Sequence, residues 1–143
     1  MITTTVHITI VRAAAAGQPV PEAPSGMPPD RAFWLVESPT AVPPTFNLNA
    51  RIGSSAWRAH VSAAESAQLA ALLDALPARD LSAPPHSFDG QQIVLMLLKN
   101  ETPLIFSWQN EDWQFDTHNR AAWTHVQAAA DTILKLADTH QPL

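Results

Sequence analysis

Residues 46–77, FNLNARIGSSAWRAHVSAAESAQLAALLDALP, change hydrophobic period in mid-run, and that change restricts the fold more than any other feature of the chain. Phe46, Leu48, Ala50 and Ile52 alternate with polar residues, the pattern of a strand with one buried face. After Gly53 and two serines, Trp57, Ala59 and Val61 alternate with Arg58 and His60 in the same way. Only a turn separates the two segments, so they pair as an antiparallel hairpin. The period then lengthens to that of a helix. Ser62 and Glu65 form a capping box, Leu69, Leu72, Leu73 and Leu76 follow at helical spacing, and Pro77 stops the element.

The rest of the chain repeats these two themes. Ile2, Val6, Ile8 and Ile10 oppose Thr3, Thr5, His7 and Thr9, which places a first strand almost at Met1. A signal peptide would carry positive charge ahead of an apolar run, whereas Arg12 comes after an alternating one. A cytoplasmic protein is therefore expected. Residues 13–31 hold Pro19, Pro21, Pro24, Pro28 and Pro29, which makes them a long connection, not a helix or ladder strand. Arg31–Ser38 reads as a short strand. Ile93–Lys99 is apolar on both faces and so belongs at the centre of a sheet, with Leu104–Trp108 as its hairpin partner. Either the proline-rich connection or another chain would cover its second face. A final helix from about Asn119 to Ala137 buries Trp123, Val126, Ala130, Ile133 and Ala137, with Leu134 beside them. The expected fold is α+β in one domain, residues 1–143. It has an antiparallel sheet of about five to six strands and two main helices packed mainly on one face.

Composition removes several functions. The chain has 143 residues and no cysteine, which rules out disulfides, thiol nucleophiles and thiolate metal sites. Its 13 acidic residues outnumber 8 Lys/Arg for a net charge of −5, so no nucleic-acid partner is expected. The longest apolar run, Ile93 to Leu98, is too short to span a bilayer, so no membrane association is expected either. Four scattered glycines form neither a phosphate loop nor a dinucleotide fingerprint. Ser54 and Ser55 lack the second glycine of a nucleophile elbow.

Histidines and carboxylates give no stronger signal. His118 and His125 are seven apart, two helical turns, where zinc on a helix wants one. His86 and Asp89 flank a turn, and Asp before Gly90 is a turn former. No cofactor, no metal and no enzymatic activity are expected.

The segment FSWQNEDWQFD, residues 106–116, holds what remains. Of the five tryptophans, Trp57, Trp108 and Trp123 fall on inward stripes, while Trp34 and Trp113 stay open. Trp113 is either a staple packed with Phe115 beneath the loop or an exposed binding aromatic. Between Asn100 and Asn119 stand four acidic residues and no Lys or Arg, with Glu111 and Asp112 adjacent in a turn where both would be solvated. A block of one sign accelerates encounter with a basic partner. Glu111, Asp112, Trp113, Asp116 and Glu101 are the candidate partner-binding residues.

From residue 45 to about 140, a strand leads into a Leu-rich helix ending in Leu76-Pro77. A loop then reaches Asp89-Gly90, and an apolar strand, a hairpin and a closing helix follow. This order resembles small bacterial α+β inhibitor and immunity-type proteins, including the emfourin family of protease inhibitors and the immunity proteins encoded beside toxins. The resemblance implies a non-enzymatic protein that occludes a cognate toxin or protease presenting a basic surface. Two other readings are carried beside it: a small metal-dependent or hydrolytic enzyme using His118, Asp116 and His125, and an adaptor or structural subunit that dimerises through an exposed sheet face.

Overall fold

The computed structural model describes residues 4–13, 31–38, 45–83, 90–99, 102–109 and 111–142. The proline-rich residues 14–30, together with His86, Asp89 and Glu101, lie outside them. Among the described residues, seven strands and two helices follow the order β1 (Thr5–Ala13), β2 (Arg31–Glu37), β3 (Phe46–Ile52), β4 (Ser55–His60), α1 (Ala63–Asp74), β5 (Leu81–Ser82), β6 (Gly90–Lys99), β7 (Thr102–Gln109) and α2 (Arg120–Thr139). Two short 3-10 turns, Asp112–Phe115 and Thr117–Asn119, join β7 to α2.

The strands form one sheet in the order β4-β3-β2-β1-β6-β7-β5. Every neighbouring pair is antiparallel except β5 with β7, which is parallel. The α+β class stands, but the expected five to six antiparallel strands become a seven-stranded mixed sheet. The additional strand, β5, is two residues long, and alternation cannot be read from two residues.

Strand pairing puts every second residue on one face. Val6 lies opposite Leu35 and Leu97, and Ile8 opposite Phe33 and Leu95. Leu48, Ala50, Trp57 and Phe106 extend the same layer, and the helices close over it with Leu69, Leu73, Trp123, Val126 and Ile133. Each large side chain fully removed from water contributes about 1.5–3 kcal/mol of transfer free energy. The indole rings of Trp108 and Trp123 meet edge to face, 5.7 Å apart at 72°.

Helix α1 starts where its capping box requires. The Ser62 hydroxyl accepts from the Glu65 N–H at 3.1 Å, and the Glu65 carboxylate accepts from the Ser62 N–H at 3.1 Å. Such a cap is worth about 1 kcal/mol. Ser66, 1% exposed, fixes the helix to the sheet, because its hydroxyl accepts from the Phe46 N–H at 3.0 Å. At the far end of α2, His140 Nε2 sits 3.0 Å from Glu65. Burial pushes the Glu65 carboxyl up, but the bonds from Ser62 and His140 outweigh it and leave the group below its ordinary range.

The sheet's second face has no helix over it among the described residues. There Trp34 stacks on His7 with ring centres 4.7 Å apart, and Val36, Leu98 and Ile105 are each 38–40% exposed. No helix among the described residues is long and apolar enough to cross a membrane.

Candidate functional site

The acidic turn between β7 and α2 places four of the five candidate residues in different environments. Glu111 is exposed. Asp112, expected in solvent beside it, is 4% exposed, because the first 3-10 turn begins there and rolls that side chain inward. Trp113 is half-buried and packs against the core. Phe115, expected to share that packing, is instead 64% exposed, more than any other large apolar side chain among the described residues. A 3-10 turn advances about three residues per turn, so residues two apart diverge instead of sharing a face as they would in a strand. Glu101 lies outside the described residues.

Asp116 acts within the fold. Its Oδ2 accepts from the indole N–H of fully buried Trp123 at 2.8 Å, and both oxygens accept from the Asn119 amide, at 3.2 and 3.0 Å. The Asn119 carbonyl in turn accepts from the Arg79 guanidinium, which ties the turn to the segment after α1. The bonds from Trp123 and Asn119, with smaller help from His118 and Arg79, hold the Asp116 carboxyl below its usual range. Carboxylate, amide and indole thus lock the turn from beneath and leave Glu111 and Phe115 on its outer side. His118 and His125 are exposed, and among the described residues no three His, Asp or Glu side chains are arranged to hold a metal ion.

A second cluster lies across the molecule, on the open face of β3 and β4. Cross-strand pairing sets Asn47 opposite His60 and Asn49 opposite Arg58. These four side chains border a shallow surface concavity of about 430 Å³. His60 Nδ1 and Asn47 Oδ1 lie 3.1 Å apart. The next residue on this face, Arg51, turns its Nε to the Gly53 carbonyl at 3.2 Å and braces the hairpin turn, where Gly53 takes the positive φ of 57° that such turns use.

Sequence reasoning treated these polar alternates as an ordinary solvent face. The signal it missed is charge partition: the seven strands carry five Lys/Arg and one acidic residue, Glu37, while the rest of the chain carries three Lys/Arg and twelve acidic residues. A net charge of −5 conceals a basic sheet and an acidic remainder. Compared with protein-family models, curated proteins and solved structures, the chain matches none.

Proposed function

We propose that this chain is a non-enzymatic binding protein of the inhibitor or immunity type, which presents Phe115 and Glu111 to a toxin or protease with a basic surface around an apolar pocket. The observation that carries this reading is the 64% exposure of Phe115 on a turn whose underside is held by Asp116, Asn119 and Trp123. A phenylalanine left largely in water forfeits about 1–2 kcal/mol of burial. Because the turn beneath it is already held, it recovers that energy on binding without the cost of ordering the turn. Glu111 adds an exposed negative charge that steers a basic partner.

The test is a photo-crosslinking amino acid at position 115, with exposed Ala71 on α1 as the control position. The reading requires a protein captured at 115 and not at 71, identified as a toxin or protease whose activity falls on binding, and released by Phe115→Ala. A captured partner indifferent to both Phe115→Ala and Glu111→Lys would remove the turn from the interface.

A second reading, a homodimer through the open sheet face, is favoured by the exposure of Val36 on β2, Leu98 on β6 and Ile105 on β7. Mass measurement in solution across micromolar concentrations separates it from the first.

A further inference from the structure

The two margins of the sheet differ. On one side β5 ends it with two residues. On the other, among the described residues, β4 ends it with six residues and no proline. A strand at such a margin points alternate backbone groups away from its only neighbour.

Which groups these are follows from the pairing. Val61 N–H donates to the Phe46 carbonyl at 3.0 Å, so the pairs in phase with it, Leu48 with Ala59 and Ala50 with Trp57, exchange the hydrogen bonds within the hairpin. The N–H and C=O groups of Ala56, Arg58 and His60 therefore face outward. The side chains of Arg58 and His60 stand over the open face on the same stretch, beside Asn47 and Asn49. Residues 46–60 hold two arginines and no carboxylate, and among the described residues no acidic side chain pairs with Arg58.

We propose that the free edge of β4 accepts an extended acidic segment of a partner protein as an added strand, its carboxylates lying opposite Arg58 and His60. Backbone hydrogen bonds supply the docking in such strand addition, and alternate side chains supply the selectivity. Charge argues against a second copy of this chain in that place. The register that pairs all three outward residues sets Arg58 against Arg58 of the other copy, and like charges directly opposite oppose pairing. An acidic strand reverses that sign at the same position. This surface is separate from the Phe115 turn, and the proposal stands independently of the reading given to that turn.

The probe is an eight-residue peptide alternating glutamate and valine, with its lysine–valine counterpart as control, titrated into the full chain. The acidic peptide should bind at least tenfold more tightly than the basic one, and more weakly as salt rises. Hydrogen exchange at the Ala56, Arg58 and His60 amides should slow at least tenfold in the complex, while Trp57 and Ala59, already bonded within the hairpin, stay unchanged. Arg58→Glu, verified as folded by circular dichroism, should reverse the preference between the two peptides. Equal binding of both peptides, or acidic binding that leaves those three amides unaltered, would overturn the proposal. So would protection of the same amides by self-association, or by a single-stranded oligonucleotide in place of the peptide.

Discussion

Replacing Asp116 by alanine tests whether the turn is held from beneath or merely rests on the surface. The substitution strands the Trp123 indole N–H, whose side chain is 0% exposed and whose partner is the Asp116 carboxylate at 2.8 Å. A hydrogen bond to a charged group is worth about 1.5–3 kcal/mol, and an abandoned buried donor costs about 1–3 kcal/mol. These describe one interaction seen from two sides, so they are not summed. With loss of the Asn119 bonds the whole effect should be about 2–4 kcal/mol. For a chain of this length that corresponds to a fall in Tm of roughly 5–15 °C.

Trp123→Phe and the double variant complete a cycle that isolates the pair from the cavity left by the smaller ring. Denaturant melts should give a coupling energy of about 1.5–3 kcal/mol at neutral pH. Because the folded carboxyl is depressed, the coupling is fully present above the unfolded aspartate pKa of about 3.9. It should decline as pH falls below that value and disappear below the folded pKa. Asp116→Asn keeps an acceptor for the indole and should cost less than alanine. A coupling energy under about 0.5 kcal/mol would show that the contact does not hold the turn, and the pre-organisation argument for Phe115 would go with it.

Three further outcomes follow from burial and charge. Leu73→Ala and Leu95→Ala, at sites 5% and 0% exposed, should each destabilise by about 2–5 kcal/mol in chemical melts; a change under about 1 kcal/mol at either would contradict its place in the core. Glu111→Lys should alter stability by less than about 0.5 kcal/mol, whereas Asp112→Lys, at a site 4% exposed, should cost at least about 3 kcal/mol, so equal melts for the two would refute the inward turn of Asp112. Burial lowers the His7 pKa, so the unfolded chain takes up that proton first: stability should fall as pH drops below about 6.5, and His7→Phe should flatten this part of the profile, which parallel slopes for the two proteins would disprove.

Where a residue's surroundings are set by its own element, the sequence disclosed them. The Ser62–Glu65 capping box, the buried stripe of α2 and the alternation of β3 and β4 all appear where periodicity and local chemistry place them. Long-range effects were less legible. Leu81–Ser82 joins the sheet only because β7 passes alongside, and nothing within the two residues announces it. Asp112 and Phe115 exchanged their expected environments because the turn is 3-10 and its phase cannot be read from four residues. Asp116 looked like a surface charge until Trp123, seven positions on, supplied the indole that explains it. The basic character of the sheet was present in the sequence but invisible to a net charge, since it appears only when charges are summed by element.

The central place of β1 fixes an order of events during synthesis. β1 leaves the ribosome well before β6, one of its two neighbours in the sheet, whose register runs from Thr5 with Leu98 to Ala13 with Gly90. At ordinary translation rates, that partner emerges on the order of ten seconds later. In that interval β2, β3, β4 and α1 can assemble through local contacts, but the middle of the sheet stays open along one side of β1. Premature termination before Lys99 would therefore release a chain with an unsatisfied central strand, and such exposed ladders invite aggregation. The cost of placing β1 at the centre, ahead of its partner β6 in the chain, is paid in time.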